Sequence, residues 1–362
     1  PDVTYNSKDY LDNGADFIVV GEGENTMLEL VNAINDNFQD FSAVDGIVYL
    51  DDSGAEVKTK PRLKVREIDD LPIPNRDGID LRKYLKAWKE FHGESALNVS
   101  TQRGCPYTCK WCSTAVYGQS YRRRSPEKVV QELKEINEKY NPDVIWFVDD
   151  VFTVSHKWLN AFADELERQN VTVKFECISR ADRMNADVIA TLKRAGCFRV
   201  WIGAESGSQK IIDAMDRRVS VEQVREMIIE TRKNGIQAGT FIMLGYPGET
   251  EEDIDETINH LKISNPDHFT ITVAYPIKGT KLYEEIEDIQ TKELKWNKST
   301  DRDRDFARTY PRKYYQYAVT KVVNEVNFHK AKLSSGIGYP ALKMKTKALL
   351  ASMGMKMIKT LN

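Results

Sequence analysis

From residue 96 onward, apolar positions alternate between short unbroken runs and stripes spaced three to four residues apart. Ala96–Ser100 predicts a strand. Ser125 stands as a cap before Pro126, and Val129, Val130, Leu133 and Ile136 give the next segment one apolar helical face. Val144–Val148 is a continuous apolar run, as in a strand covered on both sides. A helix follows with Trp158, Leu159, Phe162 and Leu166 on one side. The alternation continues with strand Val171–Ile178, helix Ala186–Ala195 stopped by Gly196, and strand Phe198–Ala204. Ser220 opens a helix with Gln223 in the capping-box position and Gly235 at its end. Strand Ile236–Leu244, helix Thr250–Ser264, strand His268–Tyr275 and helix Lys281–Ile289 complete the series. Six β–α units in a row predict an α/β fold with a parallel sheet, right-handed crossovers and helices outside. The pattern leaves a doubly wound sheet and a partial barrel both open. Either way, chemistry belongs at the carboxyl ends of the strands.

The flanks have a different texture. Tyr10–Val20 predicts a short helix-to-strand piece, Gly21–Glu24 (GEGE) a turn, and Thr26–Asn35 an amphipathic helix. Residues 46–90 predict a hairpin turning at Asp52–Gly54, then an extended linker containing Pro72 and Pro74. After residue 300 come aromatic, basic helical segments. In the last, Lys343–Lys359, a Met and Leu face is expected to pack on the body, with a membrane-surface contact as the alternative.

Composition narrows the class. The chain has 362 residues, is 41% hydrophobic and carries a net charge of −3 with both signs mixed, so no basic face for nucleic acid is expected. The most basic run, Arg122–Arg124, is read as a local anion contact or a solvated turn. No run is long and apolar enough for a transmembrane segment. Residue 1 is Pro, which suggests a truncated start. Of five cysteines, three fall between Cys105 and Cys112 while Cys177 and Cys197 stand apart. That argues for a local metal site in a reduced, cytoplasmic setting rather than a disulfide framework.

The run Arg103–Ser113, R-G-C-P-Y-T-C-K-W-C-S, spaces three thiols as C-x₃-C-x₂-C after a strand. Three thiolates holding an iron–sulfur cubane leave one iron open, because a cubane normally takes four. A structural zinc site needs a fourth ligand, and no second Cys or His pair at knuckle spacing is present. Ferredoxin spacing differs as well.

C-x₃-C-x-aromatic-C, with Trp111 as the aromatic, resembles the signature of radical S-adenosylmethionine (radical SAM) enzymes. The resemblance implies a partial (β/α)6 barrel with the cluster loop after its first strand. It implies a 4Fe–4S cluster on Cys105, Cys109 and Cys112, with S-adenosylmethionine (SAM) chelated to the open iron. Reductive cleavage of SAM would then give a 5′-deoxyadenosyl radical that abstracts hydrogen from carbon. Asp149 and Asp150 fall where the family binds the methionyl amino group, and Ser179 and Arg180 where it binds the carboxylate. Glu205 and Ser206 fall where it contacts ribose and methionine. Gly239–Glu249, including Gly245, resembles the element whose backbone meets adenine.

The segment before the barrel resembles the junction in the cobalamin-binding branch, which includes methyltransferases and the anaerobic cyclase of chlorophyll synthesis. This implies a remnant of a doubly wound cobalamin domain at 1–45, a hairpin and linker at 46–95, the core barrel at 96–290 and a helical region at 291–362. It also implies cobalamin in the longer protein, a one-electron donor such as flavodoxin or ferredoxin, and a small-molecule or lipid-like substrate. Loops and the aromatic C-terminal region around Tyr310–Tyr317 are expected to select that substrate. A radical SAM enzyme without cobalamin, and a non-catalytic iron–sulfur or zinc protein, stand as alternatives.

Overall fold

The computed structural model describes residues 2–38, 40–290, 298–334 and 338–360. They divide into two compact units, one of residues 72–101, 124–274 and 307–362, the other of residues 1–71, 102–123 and 275–306.

The first unit is built on six strands: β1 Ala96–Val99, β2 Val144–Phe147, β3 Phe175–Ser179, β4 Cys197–Glu205, β5 Gln237–Leu244 and β6 His268–Val273. Every neighbouring pair is parallel, and the spatial order follows the chain order from β1 to β6. A doubly wound sheet reverses its order at a switch point. This sheet never does, so the choice left open by the pattern resolves to a half-barrel.

Helices α1 Leu81–His92, α2 Pro126–Lys139, α3 His156–Arg168, α4 Ala186–Arg194, α5 Gln209–Ala214, α6 Val221–Lys233 and α7 Glu251–Ser264 belong to the same unit. Local chemistry starts most of them. Ser125, Ser155, Asn185 and Ser220 accept from the N–H groups of Lys128, Trp158, Val188 and Gln223, satisfying donors that a helix start leaves orphaned. The stripe predicted on α2 (Val129, Val130, Leu133, Ile136) is fully buried. Phe147, Phe152, Phe162 and Phe175 meet in the same core, with Phe147 4.7 Å from Phe152 and 5.0 Å from Phe175 between ring centroids.

Four expectations shift. Strand β3 begins at Phe175 rather than Val171, because Asn170 turns with φ of +53° and the Val171 N–H still bonds the Leu166 carbonyl at 2.9 Å. The supposed linker contains α1, which ends on Gly93 at φ of +84°. The region of Tyr310–Tyr317, expected to select substrate, sends two of its tyrosines into the core. Tyr314 and Tyr315 are fully buried at the start of α8 (Arg312–Ser334), with Tyr310 stacked on Tyr314 at 4.1 Å. The final helix α9 (Tyr339–Thr360) turns Ala341, Ala348, Ala351, Met355 and Ile358 inward, not the Met and Leu face expected.

In the second unit, Phe17–Val19, Ile47–Leu50 and Glu56–Lys58 form an antiparallel three-stranded sheet. Helix Glu24–Asn35 packs there through Leu30 and Ala33 against Val44 and Ile47. The Phe17–Val19 strand thus joins the predicted hairpin as its third strand.

Candidate functional site: the cysteine loop and the strand ends

The cysteine loop belongs to the second unit. Gln102–Arg103 pairs antiparallel with Arg122–Arg123 and closes its base. Gly104 follows with φ of +81°, and a Cβ there would lie 2.4 Å from Ser120 Oγ and 2.5 Å from its carbonyl oxygen, so only glycine fits. Within the loop Cys112 N–H donates to the Cys109 carbonyl at 3.1 Å. Cys105 is buried, Cys109 and Trp111 half-buried, and Cys112 exposed. The loop is also tied down at Lys110, whose carbonyl accepts from Leu282 N–H at 2.8 Å and whose ammonium pairs with Glu285 at 2.6 Å.

The weak G-E-G-E signal has a structural role. Glu22, almost fully buried, pairs with Arg122 at 2.5 Å and with Arg103 at 3.4 Å, and accepts from Val65 N–H at 3.1 Å. Glu24 completes the clamp on Arg103. The anion that Arg122 contacts is therefore Glu22, at the stem of the cysteine loop. Arg103 and Arg122 escape a reading by residue type because their partners lie some 80 and 100 positions upstream.

Among the described residues no three His, Cys, Asp or Glu side chains converge closely enough to hold a single metal ion. A cubane asks for something different, since each thiolate binds its own iron. Three thiols in one closed loop, graded from buried to exposed, are chemically suited to it. In the same unit a cavity of about 850 Å³ is lined by Tyr10, Ser113, Tyr275, Ile277, Arg302 and Arg304 among others.

The remaining candidates lie at or just past the carboxyl ends of β2–β5 in the first unit. Asp149 is buried and accepts from Thr101 N–H at 2.7 Å, from the Thr101 hydroxyl, and from Ser100 Oγ at 3.3 Å. It fixes the backbone four residues before Cys105 in the chain. Asp150 is exposed as a residue, but partial desolvation of its carboxyl, and then the Asp149 charge, raise its pKa above the usual carboxylate range. Ser179 Oγ shares a hydrogen bond with Thr153 Oγ1. Arg180 is buried, donating to Asp182 at 2.8 Å and to the Arg217 carbonyl at 2.7 Å.

At β4 the backbone itself is special. The register with β5 slips between Phe241 and Ile242, which pair with Gly203 and Glu205, and Glu205 sits in the left-handed region at φ of +64°. Bulges and strained residues of this kind re-aim side chains at sites. Burial raises the Glu205 pKa against the pull of Arg217 and Arg180, and Arg217 lies 3.6 Å from its carboxylate while donating to the Gly203 carbonyl at 2.9 Å. Ser206, by contrast, faces inward, 3.2 Å from Thr257 Oγ1 on α7. Gly245, at φ of +79°, donates to Glu249 at 2.6 Å, and its carbonyl accepts from Arg308 at 3.2 Å. Burial pushes the Glu249 pKa up to about 8. Arg217 is an addition the strand-end reading did not single out.

Residues 99–261 match the Radical SAM superfamily and are a radical SAM domain, a kind that uses a 4Fe–4S cluster and SAM. The chain is 31% identical over 271 residues to an uncharacterized methyltransferase of Pyrococcus horikoshii, covering 74% of this chain and 57% of that protein. It is 27% identical over 277 residues to the anaerobic magnesium-protoporphyrin IX monomethyl ester cyclase of Rubrivivax gelatinosus, covering 75% and 49%. The chain thus spans about half the length of these curated relatives. The structure of OxsB, a cobalamin-dependent SAM radical enzyme with aqua-cobalamin bound, shares the fold at a TM-score of 0.72 and 15% identity, over 98% of this chain and 66% of that one.

Proposed function

We propose that this chain is the catalytic part of a radical SAM enzyme of the cobalamin-linked branch, carrying out methyl transfer or oxidative cyclisation on a small-molecule or lipid-like substrate. The observation that carries it is the closed C-x₃-C-x-W-C loop, continuing in the chain from β1 of a parallel half-barrel. When bound, the cluster would supply the electron that cleaves the sulfonium C–S bond of SAM. Cys105, Cys109 and Cys112 would hold it, with Trp111 packing the loop. Asp149 positions the loop's entry through Thr101. Asp150, Ser179, Glu205 and the backbone at Gly245 would serve SAM, while Ser206, turned to Thr257, would brace the strand end. Arg180 already holds Asp182 and the Arg217 carbonyl, so it would act by fixing the strand end as much as by direct contact.

The cavity beside Ser113 would take the substrate. An electron donor of the flavodoxin or ferredoxin type and a reduced, cytoplasmic setting follow from the same chemistry. The name of the structural neighbour, a cobalamin-dependent enzyme, supports cobalamin. Anaerobic reconstitution with iron and sulfide, then dithionite and SAM, is expected to release 5′-deoxyadenosine or a demethylated product. Stoichiometric zinc, or an intact cluster that never cleaves SAM, would refute the reading.

A further inference from the structure

The last helix carries two apolar faces, and its own unit covers only one. Ala341, Ala348, Ala351, Met355 and Ile358 are buried. Leu342, Leu349, Leu350, Met353 and Met357 are each more than half exposed. At 3.6 residues per turn these five fall on one arc of about 100°, the width of a helix stripe meant for an apolar phase. A monomer seldom leaves such a continuous row in water.

What borders the row identifies its partner. Lys343 and Lys347 lie along one edge and Lys356 along the other, all exposed. Lys345 and Lys359 instead turn to Glu325 and Glu251 at 2.5 and 3.4 Å. No aspartate or glutamate occurs from residue 326 to the end of the sequence, although the whole chain is net negative at −3. Helix α1 makes the contrast. It also exposes Tyr84, Trp88 and Phe91, but its Lys83, Lys86 and Lys89 each pair with an acid. Among the described residues, only α9 keeps an apolar row bordered by lysines with no ion pair. Flexible lysine stems can bury along the row and hold their ammonium groups at headgroup level. A helix with five lysines cannot cross a bilayer, and none of the helices is long and apolar enough to do so among the described residues.

We propose that α9 is a membrane-surface helix that docks the chain on anionic lipid, lying in the interface with Leu342, Leu349, Leu350, Met353 and Met357 in the acyl boundary. Docking would bring the enzyme to the bilayer without an anchor that spans it.

Flotation of the chain with phosphatidylcholine vesicles, with and without phosphatidylglycerol, tests this. The expected result is binding only when phosphatidylglycerol is present, weakened by salt, and reduced about fivefold for each of Lys343, Lys347 and Lys356 changed to Gln. Leu349→Glu with Met353→Glu should abolish binding and leave the thermal transition unchanged, since both side chains are exposed. Equal binding to neutral vesicles, no binding, or binding indifferent to the Glu pair would overturn the proposal. So would a self-association, seen by light scattering, that the Glu pair disrupts while vesicle binding persists, because the row would then be an interface between copies.

Discussion

At the residue scale the chain stores its unusual features where the strands end. Glu205 holds a left-handed backbone that costs roughly 1–2 kcal/mol in a non-glycine residue. Its carboxylate shares its surroundings with Arg217 only because Gly203 has no side chain: a Cβ there would lie 2.3 Å from Arg217 Nη2 and 2.7 Å from Glu205 Oε1. Both obstacles are side-chain ends that can swing away. Gly203→Ala should therefore cost about 1 kcal/mol or less in a denaturant melt, while SAM cleavage falls sharply in the same preparation.

Glu249 gives a prediction in pH. Its pKa rises from 4.5 to about 8 because the carboxyl is buried. The folded chain then retains a proton that the unfolded chain has lost. Stability from this group is complete below about pH 4.5 and declines as pH climbs towards 8. Glu249→Gln keeps an acceptor for Gly245 N–H but cannot ionise. It should flatten the fall in melting temperature across that window, as read by calorimetry at stepped pH.

At the element scale, glycines decide which segments can approach. The turn after β4 can lie against α7 because Gly207 has no side chain: a Cβ there would lie 2.4 Å from Thr257 Cα and 2.6 Å from the Glu256 carbonyl oxygen. These are backbone atoms with nowhere to go, so Gly207→Ala should destabilise by roughly 1–3 kcal/mol, in contrast to Gly203→Ala. Gly104 plays the equivalent part in the cysteine loop. Gly104→Ala meets both a left-handed φ and the Ser120 backbone, so iron and sulfide per chain should fall severalfold after reconstitution while the main melting transition stays in place.

Much of this was legible beforehand. Caps such as Ser125 and Ser220 and unbroken runs such as VIWFV located the β–α units, because local chemistry starts helices and two-sided burial makes strands apolar. The strand order was not legible, since it is set by long-range pairing. Nor was the Glu22–Arg122 clamp, which joins residues far apart in the chain. Helix α1 was hidden behind Pro72 and Pro74, which mask an amphipathic stretch that begins only at Leu81. The inward face of α9 was missed because alanines, not the conspicuous Met and Leu residues, permit its close packing. Gly354, whose Cβ would lie 2.8 Å from the Tyr317 ring, marks that crossing.

At the scale of the whole molecule, a parallel half-barrel, a closed loop of three thiols and a radical SAM match over residues 99–261 describe one kind of chemistry. The claim on which everything rests is that three cysteines hold a cubane with one iron left for SAM. Electron paramagnetic resonance of the anaerobically reconstituted, dithionite-reduced chain measures this directly. The account predicts a reduced 4Fe–4S signal that changes shape when SAM is added and is absent in Cys109→Ala. A signal indifferent to SAM, or a cluster and SAM cleavage that survive in Cys109→Ala, would contradict it.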